Sequence, residues 1–80
     1  MIGIKEIADK IRSNQYTLRT WLDGYRFAKY RDYTGYYEVN TDFVSELIEF
    51  LLLKRGKVGN KIRNFDEIME RLYKWNNELT

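Results

Sequence analysis

The segment 15–22 concentrates side chains that can recognise another molecule through hydrogen bonds and charge. Leu18, Trp21 and Leu22 fall on one face of a helix, and the residues between them point to the opposite face. The polar residues of the segment are Gln15, Tyr16, Thr17, Arg19 and Thr20. Such groups on an exposed helix face pair with base edges and phosphates in a DNA groove. The segment is therefore a candidate recognition helix.

Five residues of this segment have different expected roles. Arg19 is the main candidate for pairing with a guanine edge or a phosphate, and the alternative is a solvated surface arginine. Gln15 and Tyr16 begin the helix, where base contacts concentrate, although Tyr16 alternatively packs on the β-hairpin that the segment 25–39 predicts. Thr20 is a candidate for contact with phosphate or a thymine methyl. Trp21 is expected in the core rather than in a site.

Catalytic chemistry lacks its usual groups in this sequence. There is no His and no Cys, which excludes imidazole bases, thiol nucleophiles, disulfides and thiolate metal sites. No paired-carboxylate motif is present either. We therefore expect no enzyme activity, no metal, no cofactor and no small-molecule ligand.

A first helix is expected to support the candidate recognition helix. Its apolar residues recur at i, i+3, i+4 and i+7 and are Ile4, Ile7, Ala8 and Ile11. The turn that follows has no Gly, so Arg12 or Ser13 must make the bend. Gly24 is expected to end the second helix.

The aromatic segment 25–39 predicts a β-hairpin, because aromatic residues favour strands and Gly35 interrupts the run as a turn signal. Tyr37 and Val39 would share the buried face of the second strand. Cross-strand packing is the preferred role of Tyr30 and Tyr37.

The exposed part of this hairpin carries further candidates for DNA contact. Lys29, Arg31 and Tyr33 could reach the minor groove or the flanking backbone. The alternative role of Tyr33 is to stabilise the hairpin itself.

Two longer helices are predicted in the second half of the chain. Asn40 suits a helix N-cap, and a helix from about 41 to 55 would follow it. Its expected buried residues are Phe43 or Val44, Leu47, Ile48 and Leu51. Asn64 begins a sequence that resembles a capping box, which predicts a last helix from about 65 to 78. Its expected buried residues are Phe65, Ile68, Met69, Leu72 and either Trp75 or Leu79.

Basic residues form two blocks, although the net charge is only +2. The first block comprises Lys10, Arg12, Arg19, Arg26, Lys29 and Arg31, and the second comprises Lys54, Arg55, Lys57, Lys61 and Arg63. Half of the twelve acids lie instead in segments 42–49 and 66–70. Lys57, Lys61 and Arg63 lie in a glycine-containing loop and are candidates for contacts with the DNA backbone, unless they are merely solvated.

The predicted order of helix, turn, helix, hairpin, helix, loop and helix describes a mainly α winged helix-turn-helix domain with a small β-hairpin. The segment 4–11, with Thr17-Leu18-Arg19 and Trp21, resembles the start of MerR-type DNA-binding domains and related phage excisionases. The segment 35–44 resembles the wing exit of that family. The chain ends at Thr80 without an effector domain, so a metal- or drug-sensing activator is not expected.

The resemblance implies that residues 1–80 form a single domain that binds specific double-stranded DNA. The expected protein is a small mobile-element or phage excisionase, that is, a recombination directionality factor, or a transcriptional regulator that acts architecturally. Its expected partners are double-stranded DNA, further copies of itself bound cooperatively or as a weak dimer, and an integrase.

A rival hypothesis is a protein-interaction module of phage or plasmid origin that binds a host factor. The apolar run 50–53 is wider than one helix face, so part of it either contacts a second copy or another protein or is buried under the last helix. That run is too short to span a bilayer, and no secretory signal is visible. The expected compartment is the cytoplasm, with no membrane partner.

Overall fold

The computed structural model describes residues 1–56 and 61–80 and is dominated by helices. The described elements are α1 (Ile4–Ile11), α2 (Gln15–Leu22), a 3-10 helix (Tyr25–Tyr30), α3 (Thr41–Arg55) and α4 (Phe65–Leu79). Within the described residues, no helix combines the length and the apolar character needed to cross a membrane.

Arg12 makes the turn between α1 and α2, and it is one of the two residues predicted for this bend. Arg12 adopts a left-handed conformation with φ 59° and ψ 41°. The backbone N–H groups of Arg12 and Ser13 both donate to the carbonyl of Ala8, so the end of α1 is capped in spite of the missing Gly. Asn14 then begins α2, because its side-chain oxygen accepts hydrogen bonds from the amides of Tyr16 and Thr17 at 2.8 and 3.3 Å.

The predicted β-hairpin wing is wrong, and with it the winged helix-turn-helix fold class. Residues Tyr25–Tyr30 form a 3-10 helix, and pairing in the described residues is limited to isolated antiparallel bridges of Tyr37 with Ile2 and with Arg31. Both Phe27 and Tyr30 are buried. A 3-10 turn of three residues places these two rings on one face, whereas a strand would place them on opposite faces.

The burial of these two aromatic rings explains why strand propensity fails here. Phe27 and Tyr30 each pack edge-on against Phe43 of α3, with ring centroids 5.8 and 5.4 Å apart. Packing against another element outweighs the intrinsic preference of an aromatic residue for a strand. Tyr30 is therefore a core residue rather than a cross-strand partner.

The loop after the 3-10 helix is organised by the carboxylate of Asp32. This carboxylate accepts hydrogen bonds from the hydroxyl of Thr34 at 2.6 Å, from the amide of Thr34 at 2.9 Å and from the amide of Tyr36 at 3.0 Å. These bonds, led by that from the hydroxyl, lower the pKa of Asp32. Gly35 has φ 91°, a conformation that suits Gly. Tyr37 is buried as predicted, whereas Val39 is only half-buried.

The two long helices agree with most of the sequence prediction. α3 has the predicted bounds and is capped by Asn40, whose side chain accepts from the amide of Phe43 at 2.8 Å. α4 begins where predicted and continues to Leu79. Asn64 has a left-handed conformation and makes no capping bond, so the predicted capping box is wrong.

The core lies where α4 packs on α1 and α3 and where the 3-10 helix packs on α3. Both Phe43 and Val44 are buried, and Trp75 rather than Leu79 is buried at the far end of α4. Phe65 is only half-buried. The other predicted core residues of the long helices are buried: Leu47, Ile48, Leu51, Ile68, Met69 and Leu72.

Candidate nucleic-acid interface

The helix α2 holds its apolar face in the core and its polar face in solvent. Leu18, Trp21 and Leu22 are at most 5% exposed. The polar residues predicted to contact DNA are all exposed: Gln15, Tyr16, Thr17, Arg19 and Thr20. Tyr16 is 77% exposed, so its ring projects into solvent rather than packing on the following segment. The buried face therefore fixes the helix while the polar face stays available to a ligand.

One side of this polar face borders a groove that we call the basic groove. It lies between α2 and the segment 61–64 before α4, and its volume is about 700 Å³. Its charged lining residues are Arg12, Lys54, Lys61 and Arg63, and no acid among the described residues lines it. Thr17 and Thr20 of α2 line it as well. The structure thus places two of the predicted backbone-contact residues, Lys61 and Arg63, beside the candidate recognition helix.

The floor of the basic groove is partly apolar and includes Trp21, Ile62 and Ile68. The hydroxyl of Thr20 donates to the carbonyl of Thr17 at 2.6 Å, and its lone pairs remain able to accept. Ser13 also lines the groove, and its hydroxyl oxygen is buried without a hydrogen-bond partner among the described residues.

The other side of α2 borders a second groove of about 530 Å³, which we call the Tyr36 groove. Gln15, Tyr16 and Arg19 line it together with Tyr36, Lys5 and Glu6. Sequence reasoning did not select Tyr36 as a site residue. No local signal could have found it, because its place beside α2 depends on the bridge between Tyr37 and Ile2, which are far apart in the chain.

Close ion pairs hold two of the six residues of the first basic block, Lys10 and Arg26. Lys10 Nζ lies 3.1 Å from Glu78 Oε2. Arg26 Nε lies 2.6 Å from Glu46 Oε1, and its Nη2 lies 3.6 Å from Glu49 Oε1. The hydrogen bond to Glu46 raises the pKa of the Arg26 guanidinium. The partners of Arg26 belong to the acidic segment 42–49, whereas Glu78 lies near the end of α4, outside both acidic segments.

Weaker pairs involve two other arginines of the same block. Arg12 Nε is 4.0 Å from Glu67 Oε1, and Arg31 Nη1 is 4.0 Å from Asp23 Oδ1. Both pairs are at the distance limit for an ion pair and are solvent-exposed, so each holds its arginine weakly. Arg12 thus remains able to bind a stronger anion.

Arg19 and three cations of the basic groove make no ion pairs among the described residues. Within residues 1–56 and 61–80, no ion pair involves Arg19, Lys54, Lys61 or Arg63. Their charges are therefore not cancelled by a carboxylate of the described chain. This separation of paired from unpaired cations could not be read from the sequence.

The remaining predicted contacts lie elsewhere or outside the described residues. Lys29, Arg31 and Tyr33 are exposed, but none of them lines either groove beside α2. The ammonium of Lys29 lies 5.3 Å from the ring centroid of Tyr30. Lys57 lies outside the described residues.

The apolar run at the end of α3 divides between core and surface. Leu51 is buried, and the half-buried ring of Phe50 lies 5.8 Å from that of Phe27. Leu52 and Leu53 are 47% and 57% exposed. This pair is the part of the run that a partner could reach.

Comparison with protein-family models, with curated proteins and with solved structures gives no match for this chain.

Proposed function

We propose that this protein binds double-stranded DNA and that the polar face of α2 enters the major groove. The observation that carries the proposal is that this face lies beside a groove that four cations, and no acid of the part of the chain that the structure describes, line. Bases are read by side chains on a helix, and the phosphates beside them attract cations. The arrangement of α2 offers both kinds of contact on adjacent surfaces.

The residues of α2 have different proposed roles. Arg19 and Gln15 contact base edges, because they lie on the side of α2 that borders the Tyr36 groove. Tyr16 lines both grooves and contacts base edges from the start of α2. Thr17 and Thr20 lie on the opposite side and contact the sugar–phosphate backbone. The contacts predicted with the minor groove or the flanking DNA backbone remain part of the proposal for Lys29, Arg31 and Tyr33. The 3-10 helix and the loop after it, rather than a β-hairpin, carry these residues.

The proposed biological role is that of a small excisionase or transcriptional regulator that acts on DNA in the cytoplasm. A domain of this kind acts by occupying or bending its site, alone or as several adjacent copies. An integrase partner is proposed for the excisionase role only.

The salt dependence of binding to duplex DNA tests the proposal. Binding of the protein to a labelled duplex of random sequence is measured by fluorescence anisotropy over a range of salt concentrations. A plot of log affinity against log salt is expected to fall steeply, because each neutralised phosphate releases counterions. Absence of duplex binding at low salt would refute the proposed function.

A protein-interaction module is the rival function, and the exposure of Leu52 and Leu53 is the observation that favours it. An interface built on these side chains would be largely insensitive to salt, because apolar burial rather than charge would drive it. Replacement of both leucines by Ser would abolish such an interaction and leave DNA affinity unchanged.

A further inference from the structure

The basic groove contains two cations that the sequence did not single out as ligand contacts. Arg12 belongs to the turn between α1 and α2, and Lys54 belongs to the last turn of α3. Lys61 and Arg63, in contrast, belong to the segment before α4. The fold thus draws cations from three separate parts of the chain to one groove.

The lining of this groove suits an extended polyanion better than a compact anion. The cations come from different elements, and exposed Thr17 and Thr20 add hydroxyl groups along α2. A groove of about 700 Å³ is far larger than one phosphate. Clustered charge of one sign, above a floor that includes apolar side chains, focuses the electrostatic potential into the groove.

We propose that the basic groove holds one sugar–phosphate strand of the duplex that α2 reads, with Arg12 and Lys54 as phosphate contacts alongside Lys61 and Arg63. The inference rests on the proposed function. The strand runs past Thr17 and Thr20, which leaves the side of α2 that carries Arg19 directed at the bases. The groove therefore sets the orientation of the whole domain on DNA.

The test compares salt slopes of single-charge variants on a labelled 20-base-pair duplex of random sequence, a length chosen as about two helical turns. The variants are Arg12→Gln and Lys54→Gln. Lys54→Met is added because Met keeps the apolar stem of this half-buried side chain. The control is Lys74→Gln, which removes an exposed charge on α4 that lines neither groove.

Each groove variant is expected to weaken binding and to reduce the magnitude of the salt slope by up to about 0.9 per lost phosphate contact. Lys74→Gln is expected to keep the slope of the unmodified protein. Thermal melts followed by circular dichroism identify any variant that loses DNA affinity because it unfolds. If Lys54→Gln unfolds, the salt slope of Lys54→Met tests the phosphate contact at position 54.

Two results would overturn the inference while leaving the proposed function intact. One is an unchanged salt slope in Lys54→Met and Arg12→Gln when the unmodified protein binds duplex DNA. The other is an equal loss in Lys74→Gln, which would mean that net charge alone matters. Failure of the unmodified protein to bind any duplex would instead refute the proposed function itself.

Discussion

Individual arginines of this protein have different environments that a count of charges hides. Arg26 is held by Glu46 and Glu49 and joins the 3-10 helix to α3. Arg19 projects from α2 and makes no ion pair with a described residue. An arginine without a protein partner pays no cost of breaking an ion pair when it binds a base or a phosphate.

Replacement of Arg19 by Ala is therefore expected to weaken binding to a specific DNA site by about 1–3 kcal/mol. Fluorescence anisotropy with that site, once footprinting has identified it, measures the loss. Lys74→Ala removes a charge on α4 and serves as the matched control. Unchanged affinity in Arg19→Ala would exclude this side chain as a base-reading residue.

Trp21 is important for stability because its side chain is only 5% exposed. Trp21→Ala is expected to lower the free energy of unfolding by roughly 3–5 kcal/mol, which is the usual cost of removing a buried aromatic ring. Chemical denaturation measures the change. Tyr16→Ala, at an exposed position of the same helix, is expected to stay within about 0.5 kcal/mol of the unmodified protein. A free energy of unfolding that barely changes in Trp21→Ala would show that the ring contributes little to the core.

At the scale of elements, the loop 32–36 compensates for the absence of a hairpin ladder. The Asp32 carboxylate bonds two residues of the loop, and Tyr37 then pairs with Ile2 through both backbone hydrogen bonds, at 3.0 and 2.8 Å. Side-chain hydrogen bonds and one buried ring therefore position Tyr36 near α2 without a β-sheet.

The lowered pKa of Asp32 predicts a pH dependence of stability. The folded state favours the ionised carboxylate, so its stabilisation is present above the unfolded pKa of about 3.9 and is lost as pH falls through the lower folded pKa. Asp32→Ala is expected to be less stable at neutral pH, and the difference should shrink below about pH 4. Urea unfolding at several pH values measures it. Asp9→Ala is the control, and a constant difference between Asp32→Ala and the unmodified protein across this range would contradict the prediction.

At the scale of the whole molecule, ion pairing divides the surface into a neutralised part and a basic part. Pairs such as Lys10 with Glu78 cancel charge at positions away from α2. The cations of the basic groove lie beside α2, and no acid within residues 1–56 and 61–80 lines that groove. A net charge of only +2 is therefore compatible with a locally strong positive potential.

The double variant Lys61→Gln/Arg63→Gln tests whether this potential acts without regard to sequence. Phosphate contacts add affinity but do not read bases, so the loss of affinity is expected to be about equal on specific and random duplexes. Parallel anisotropy titrations on the two duplexes make the comparison. A loss confined to the specific site would mean that this segment reads sequence instead.

The sequence by itself determined the positions of the four α-helices and most of their buried residues. Apolar residues at i, i+3 and i+4 mark a helix face wherever they occur, and a side chain such as that of Asn40 caps a helix through its immediate neighbours. Exposure of Arg19 on α2 follows from the same periodicity. These properties depend on residues within one or two helical turns, so they can be read locally.

Only the tertiary structure decided the conformation of Tyr25–Tyr30 and the composition of the basic groove. The 3-10 helix forms because Phe27 and Tyr30 pack on Phe43, which is distant in the chain. Arg12 and Lys54 meet in one groove because α1, α2, α3 and α4 contribute to a single hydrophobic core. Contacts between distant residues leave no periodic signal in the sequence, and the burial of aromatic rings outweighs their local preference for strands.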